Sequence, residues 1–206
     1  MEIGPRRRLG AEARRESILA VALPEFAASG YERTRVADIA AKVGVTEPVI
    51  FQNFGTKADL FAAVLERASD QLADHLTGLA RERPGISDLL AGLLAPEHQD
   101  RMHSRGGLGV IFAEAAETRE PRIGKAWLVA HKRVVEAIAH LLRRGQAEGS
   151  IRDDVDAVTL AWLVLSQIHA RQFRRTRARS SPALEGDLLK AVLLTVAPRR
   201  TRGGGQ

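Results

Sequence analysis

The sequence predicts an all-α fold, and three observations support this prediction. Apolar residues recur at spacings of three and four along most of the chain, which is the pattern of a helix with one buried face. Aromatic residues make up only 4% of the 206 residues, whereas alanine and leucine, which favour helices, are abundant. Apolar and polar residues do not alternate at a period of two, so no strand is predicted. We expect a small N-terminal domain of three helices followed by a larger helical domain.

The composition excludes several kinds of site. The chain has no cysteine, which excludes disulfides and thiol nucleophiles and makes a reducing cytoplasm the expected compartment. Residues 157–165 form the longest apolar stretch, at about nine residues, whereas a membrane-spanning helix needs about 20. We therefore expect a cytoplasmic protein without a membrane segment, a metal or another cofactor.

The first helix is predicted over residues 11–29, after a flexible basic arm over residues 1–10. Ile18, Ala22 and Phe26 recur at a spacing of four and form its apolar face. Gly30 is suited to the left-handed conformation in which many helices end. Pro24 removes one backbone hydrogen bond within this helix, so a kink is expected there.

Two short helices, over residues 35–43 and 47–53, are predicted to form a helix-turn-helix motif. Gly44 lies between them and allows a tight turn with a positive φ, and Thr46 can cap the second helix. The apolar face of the first short helix consists of Val36, Ile39, Ala40 and Val43. A short exposed helix supported by another one is the arrangement that reads the major groove of DNA.

Nine residues of this region are candidate DNA contacts. Gln52 can bond adenine and Glu47 can accept a hydrogen bond from cytosine, so both, together with Pro48, are predicted to discriminate bases. For Glu47, a favourable position at the helix N-terminus is the alternative. The residues predicted to position the protein on phosphates are Thr34, which is also a candidate cap for the first short helix, Asn53 and Lys57. The full set is Thr34, Arg35, Thr46, Glu47, Pro48, Phe51, Gln52, Asn53 and Lys57.

The rest of the chain is predicted to be helical as well. A long helix opens at Thr56, where Asp59 gives the spacing of a capping box, and Pro84 and Gly85 mark its end. Further helices are predicted over residues 86–95, 105–119, 121–147, 155–178 and 183–197. The expected domains are therefore a helix-turn-helix DNA-binding domain over 11–55, a ligand-binding and dimerisation domain over 56–198 and a disordered tail over 199–206.

The last two helices predict a homodimer. The final helix carries apolar residues around most of its circumference, so it needs two packing partners. Its own subunit can supply one partner and a second copy the other, which joins two subunits through residues 155–178 and 183–197. Complete burial of this helix within one subunit is the alternative.

Most of the excess positive charge lies near the C-terminus, since residues 171–206 contain nine basic and two acidic side chains. The arginines at the end of the penultimate helix are predicted to be solvated and to complement the negative end of its dipole. They are Arg171, Arg174, Arg175, Arg177 and Arg179. Arg6, Arg7 and Arg8 are expected to form part of a solvated arm, with entry into a minor groove as the alternative.

A specific pattern is formed by the segments Phe26–Thr34, Ile39–Ala40, Gly44–Thr46, Phe51–Phe54 and Lys57–Leu60. Over residues 14–61 this pattern resembles the N-terminal domain of the TetR family of bacterial transcriptional regulators. The resemblance implies an all-helical homodimer, usually a repressor, that binds a palindromic operator in double-stranded DNA. It also implies release from DNA when a small-molecule effector enters the C-terminal domain.

Three positions depart from the family's common pattern. Phe51 stands where a tyrosine often offers its hydroxyl to a phosphate, so only contact through the ring remains. Asn53 stands where histidine or tyrosine is common, and it can still donate a hydrogen bond. Pro48 replaces a frequent glycine, and proline is tolerated in the first turn of a helix.

An effector pocket is predicted among the helices over 105–119, 121–147 and 155–178, because these place polar groups on apolar stripes. The candidate ligand contacts are Phe112, Trp127, His131, Trp162, Ser166 and His169, with Glu114 and Glu117 as further polar anchors.

An enzyme is not predicted, because the sequence lacks the histidine–glutamate motif of zinc proteases, the serine elbow of hydrolases and a phosphate-binding glycine loop. The alternative to a DNA-binding regulator is a helical small-molecule-binding or adaptor protein without DNA activity. Exposed positions for Gln52 and Lys57 favour the regulator.

Overall fold

The computed structural model describes residues 10–82, 85–104, 106–175 and 181–199, and over these residues the predicted all-α fold is confirmed. The described residues form ten helices and no strand. In chain order the helices are α1 (Ala11–Arg33), α2 (Val36–Val43), α3 (Glu47–Phe54), α4 (Lys57–Glu82), α5 (Ile86–Leu94), α6 (Pro96–Met102), α7 (Leu108–Glu117), α8 (Pro121–Ala147), α9 (Ala157–Phe173) and α10 (Pro182–Val196). Apart from residues 10 and 199, the predicted arm and tail lie outside the described residues.

The chain divides into two compact units, each of which combines two stretches of sequence. The first unit comprises Met1–Ala68 and Arg105–Val129, and the second comprises Ser69–Ser104 and Ala130–Gln206. Helices α4 and α8 contribute residues to both units. The first unit thus holds α7 together with the helix-turn-helix motif.

The core of the first unit forms where α1 packs against α2, α3 and α7. Phe26 and Phe61 meet edge to face with their ring centroids 4.9 Å apart, and the Tyr31 ring lies 5.1 Å from that of Phe61. Such aromatic pairs stabilise a core beyond the apolar area that they bury. The buried aliphatic side chains around them include Ile18, Ile39, Ile50 and Leu60.

Helix α1 changes direction at Gly30, where φ is 79° and ψ is 168°. Glycine has no Cβ and adopts this positive φ readily, as the sequence predicted for this position. One more helical turn follows and ends at Arg33. Within α1 the backbone leaves helical angles at Gly30 rather than at Pro24, where the kink was expected.

Thr34 closes α1 and does not cap α2, so the capping prediction was wrong. Its hydroxyl donates to the carbonyl oxygen of Gly30 at 2.7 Å, and its backbone N–H donates to the same oxygen at 3.3 Å. The N-cap of α2 is Arg35, with no side-chain hydrogen bond. Thr34 is buried, and its hydroxyl satisfies a carbonyl group that the break at Gly30 leaves free.

In the second unit, α10 packs against α5, α6 and α9. Helix α6 was not predicted, and α7 begins at Leu108 rather than at residue 105. Pro96 occupies the first turn of α6, where a missing N–H costs little. Within the described residues no helix has both the length and the apolar character needed to cross a bilayer.

Arg171 and Arg174, at the end of α9, are paired and only partly exposed, so the prediction of a solvated helix end was wrong for these two residues. Arg174 donates two hydrogen bonds of 2.9 Å to the carboxylate of Glu185, which is 5% exposed. Arg171, 11% exposed, lies 3.1 Å from the carboxylate of Asp100. Arg175 is more exposed and lies 3.4 Å from Asp100, whereas Arg177 and Arg179 lie outside the described residues. The pairing fastens α10 and α6 to α9.

Candidate nucleic-acid interface

The helix-turn-helix motif is formed by α2, a turn at Gly44 and α3. Gly44 has φ 78° and ψ 33°, the left-handed conformation that the sequence predicted. Its N–H donates to the carbonyl of Ala40 at 3.0 Å, and the N–H of Val45 donates to the same oxygen at 3.0 Å. These bonds satisfy the free carbonyl group of Ala40 at the end of α2 and direct the chain into α3.

Helix α3 has a buried side and an exposed side. Ile50 and Phe54, four residues apart, are buried in the part of the first unit formed by residues 10–68, here called the head. The head comprises α1, α2, α3 and the first half of α4. Pro48, Phe51 and Gln52 are exposed, and their spacings of three and four place them on one face. The Phe51 side chain retains 38% exposure. An apolar ring and an amide on an exposed helix face are suited to contact with bases and sugars.

The first residues of α3 and α4 agree with the positions predicted from the sequence. Thr46 is the N-cap of α3, although its side chain makes no capping hydrogen bond, and Glu47 lies in the first turn. Thr56 accepts a hydrogen bond from the N–H of Asp59 at 3.0 Å and donates to its carboxylate at 2.7 Å. The hydrogen bonds from Thr56 and Arg122 lower the pKa of the Asp59 carboxyl.

Two of the predicted phosphate contacts already have partners within the head. The ammonium of Lys57 donates to the carbonyl of Glu32 at 3.1 Å and lies 4.8 Å from the centroid of the Tyr31 ring. The side-chain amide of Asn53 donates to the carbonyl of Val49 at 2.7 Å. Lys57 retains hydrogens for a further acceptor, since an ammonium has three donors.

Two contacts that organise the head were not predicted from the sequence. Glu114 of α7 accepts a hydrogen bond of 3.1 Å from the N–H of Tyr31, next to the break at Gly30, so this carboxylate serves the head. A Cβ on Gly30 would lie 2.8 Å from the Glu114 carboxylate. Arg15 of α1 donates to the carbonyl of Asn53. No local pattern reveals either contact, because the partners are far apart in the sequence.

Of the six candidate ligand contacts, the structure brings His131 and His169 together. Their Nε2 atoms are 3.1 Å apart, with His131 buried and His169 exposed. Loss of water around the His169 ring, and the charge of His103, lower its pKa and favour its neutral form. Trp162 and Ser166 lie on the exposed face of α9, while Phe112 and Trp127 are half-buried in the first unit.

The second unit contains a small pocket that none of the six candidate ligand contacts lines. It is lined by Leu94, Gln99, Gln167, Ile168, Arg171, Glu185 and Leu189. Its free space holds about one water molecule. The Oε1 atom of Gln99 and the Nε atom of Arg171 are buried without a hydrogen-bond partner. Across the described ranges, no three histidine, aspartate or glutamate side chains cluster as a metal site.

Comparisons with known proteins agree with this architecture. Residues 18–64 match the family described as bacterial regulatory proteins of the TetR family, and residues 117–190 match the tetracyclin repressor-like C-terminal domain. The chain is 30% identical over 161 residues to the probable HTH-type transcriptional regulator ArpR of Pseudomonas putida, covering 73% of this chain and 75% of ArpR. It is 29% identical over 153 residues to the HTH-type transcriptional activator FasR of Mycolicibacterium smegmatis, covering 74% and 69%.

Solved structures show the same fold. A regulator from Saccharomonospora viridis, solved in complex with choline, matches with a TM-score of 0.68 and 25% identity, covering 92% of this chain and 100% of that one. The relatives are transcriptional regulators and not enzymes. Because the family domains and a relative at 30% identity agree with the helix-turn-helix geometry, the chain belongs to the TetR family of bacterial transcriptional regulators.

Proposed function

We propose that this regulator is a repressor that binds a palindromic operator in double-stranded DNA as a homodimer and is released by a small-molecule effector. The observation that carries the proposal is the exposed face of α3, made of Pro48, Phe51 and Gln52. Ile50 and Phe54 hold this helix from behind, so the face is presented on a fixed support. A short supported helix of this kind fits the major groove.

The predicted contacts divide into base readers and phosphate contacts. Gln52, Glu47 and Pro48 face base edges, with Gln52 as the residue best suited to adenine. The backbone contacts are Arg35, Thr46, Asn53 and Lys57, which can donate hydrogen bonds to phosphates, and Phe51, whose ring can only lie against a sugar. Thr34 contributes through the end of α1 that it closes, because its hydroxyl is buried and already donates to Gly30.

Dimerisation is proposed through α9 and α10. Phe173 on α9, and Leu184 and Leu194 on α10, are large apolar side chains that remain exposed in one subunit. Exposed apolar residues concentrated on two neighbouring helices favour a partner surface. A symmetric pair of subunits presents two α3 helices, and dimeric readers of this type bind half-sites about 34–36 Å apart or a multiple of that distance.

The effector is proposed to bind in the C-terminal domain, with His131 and His169 as polar contacts among the six candidate residues. A ligand that releases DNA and quenches tryptophan fluorescence supports this location. The quenching should diminish in Trp127→Phe or Trp162→Phe. Quenching that is unchanged in both variants would place the ligand elsewhere.

The decisive experiment is a gel shift with the DNA upstream of the chain's own gene, followed by competition with duplexes altered at single base pairs. Gln52→Ala should relax discrimination at one base position and leave the others unchanged. Gln71→Ala removes an exposed glutamine of α4 and is the matched control. Equal loss on every duplex would contradict base reading by Gln52. A failure of the wild-type chain to bind DNA would favour an adaptor or ligand-binding function.

Whether DNA binding represses or activates is tested with a reporter gene downstream of the bound site. Repression predicts higher expression after deletion of the regulator, and the same increase when the effector is added. Lower expression after deletion would identify an activator, as FasR is named.

A further inference from the structure

Helix α3 has little of its own to fix its C-terminal end. It comprises only eight residues, and its last turn contains no basic side chain. The last carbonyl groups of a helix have no partners within that helix and carry the negative end of its dipole. The N–H of Gly55 satisfies one of them by donating to Phe51 at 2.7 Å.

Arg15 of α1 supplies the missing cation from another part of the chain. Its Nη1 atom donates to the carbonyl oxygen of Asn53 at 2.6 Å, one residue before the end of α3. Its guanidinium carbon also lies 4.1 Å from the centroid of the Phe54 ring. A guanidinium that donates a hydrogen bond and stacks on an aromatic face is held in one orientation.

Both ends of this connection are anchored. Phe54 is buried in the core of the head, and Ile18, one turn after Arg15 on α1, is fully buried. The contact therefore joins a fixed part of α1 to the final turn of the helix that carries Phe51 and Gln52.

We propose that Arg15 is a positioning residue for DNA recognition, which fixes the angle of α3 by binding its C-terminal carbonyl group and the Phe54 ring. This inference rests on the proposed function of α3 as the reading helix. Arg15 acts through α3, because one N–H group of its guanidinium donates to the carbonyl of Asn53 and the guanidinium lies over the ring of Phe54. Loss of the contact frees the last turn of α3 and misaligns the side chains that read bases.

A direct phosphate contact by Arg15 would behave differently. Each phosphate neutralised by a side chain adds about one unit to the slope of log affinity against log salt concentration. A positioning residue leaves this slope unchanged and alters the ratio between specific and non-specific binding. Salt dependence thus separates the two roles.

The test compares Arg15→Met and Arg15→Lys with a matched control, Arg67→Met. Arg67 pairs with Glu16 in the same head, so the control removes an equal charge without touching α3. Arg15→Met should lower affinity for the specific site roughly ten-fold, leave non-specific binding unchanged and keep the salt slope. Arg15→Lys should not restore the loss, because an ammonium cannot both stack flat and direct its donor as a guanidinium does.

Hydrogen exchange without DNA supplies the second readout. The amides of Phe54 and Gly55 should exchange faster in Arg15→Met and not in Arg67→Met, with thermal unfolding of the head followed in parallel. The proposal is overturned if exchange at these amides is unchanged. It is also overturned if the slope falls by about one unit and Arg15→Lys restores affinity. A wild-type chain that ignores DNA overturns the proposed function itself, a result distinct from either of these.

Discussion

Lys57, shortly after the end of α3, has an ammonium that is held in place within the head. One of its three N–H donors is used there, so the others remain for a further acceptor. Its ammonium donates to Glu32 and lies against the ring of Tyr31, at the first residue of α4. The positive end of the α4 dipole lies beside it, so this end of α4 favours an anion. The arrangement predicts that Lys57 contacts a phosphate and carries no sequence information.

Lys57→Ala should therefore weaken binding to all duplexes alike and lower the salt slope by about one unit. Lys42→Ala is the control, because Lys42 is an exposed cation of α2 that pairs with Glu25. Affinity is measured by fluorescence anisotropy across a salt series. A loss confined to one operator sequence would show that Lys57 reads bases indirectly and would contradict the prediction.

The positions that could be predicted from the sequence are those whose role depends on near neighbours in the chain. Gly44 needs a positive φ because two helices meet there, and Asp59 lies three residues after the threonine that caps α4. Thr34 was assigned to the wrong helix, since its hydroxyl has acceptors on both sides in the sequence and only the structure shows which it uses. Arg15 could not be assigned to α3, because the two residues of that contact are 38 positions apart.

At the scale of elements, α7 is tied to the head by one carboxylate. Glu114 accepts a hydrogen bond from the N–H of Tyr31, just after Gly30, whose φ is positive. A second bond between the same regions runs from the N–H of Gly106 to the carbonyl of Ala27, at 3.0 Å. A helix predicted to line the effector pocket thus also supports the break in α1.

Glu114→Ala should destabilise the first unit by about 1–3 kcal/mol, because it leaves the part-buried N–H of Tyr31 without its partner. Glu117→Ala is the matched control, since Glu117 is an exposed carboxylate on the same helix. Urea denaturation followed by tryptophan fluorescence and circular dichroism measures the change. Equal stability of the two variants would show that water replaces the carboxylate at no cost.

The long helices could be predicted because their apolar stripes are continuous and their ends carry Gly or Pro. Helix α8 has the predicted bounds, from Pro121 to Ala147. Helix α6 was missed because its seven residues carry mostly polar side chains and show no stripe. The arginines of α9 were misjudged because their partners, Glu185 and Asp100, come from other helices.

Replacement of Glu185 is expected to lower the stability of the second unit substantially. It is buried and accepts two hydrogen bonds from Arg174, and Arg171 lies 3.8 Å away. Glu185→Ala leaves the partly buried guanidinium of Arg174 without its carboxylate, which should cost about 1.5–3 kcal/mol. Asp187→Ala is the control, because the pair with Lys190 is exposed and such pairs contribute about 0–1 kcal/mol. Urea unfolding of both variants measures the difference, and a difference under about 1 kcal/mol would contradict the prediction.

At the scale of the whole molecule, contacts gather helices that are far apart in the chain into two units, while the domain bounds of 11–55 and 56–198 remain a prediction. Residues 105–129 return to the unit that contains α1, although they follow α4, α5 and α6 in the chain. Local sequence patterns do not predict that α7 packs with α1, because an apolar helix face has the same pattern whichever core it joins. The helix content could therefore be predicted more fully than the grouping of the helices.

In the proposed dimer, the exposed apolar side chains of α9 and α10 join the two subunits. Phe173 is 62% exposed and Leu194 is 77% exposed in one subunit, on the helices proposed to join two copies. Large apolar side chains at the centre of an interface contribute much of the binding energy, and a buried unpaired carboxylate opposes association. Because an operator with two half-sites needs two linked heads, loss of the dimer should also lower affinity for DNA.

The double variant Phe173→Glu and Leu194→Glu should sediment as a single subunit at concentrations where the wild-type chain is a dimer. Its affinity for the full operator should fall by at least ten-fold, while its affinity for an isolated half-site stays the same. Leu128→Glu is the control, because Leu128 is exposed to 57% on α8, outside the two proposed helices. A wild-type chain that sediments as one subunit, or a double variant that remains a dimer, would exclude association through this face. Loss of half-site binding would instead reveal unfolding, which circular dichroism of the same sample would detect.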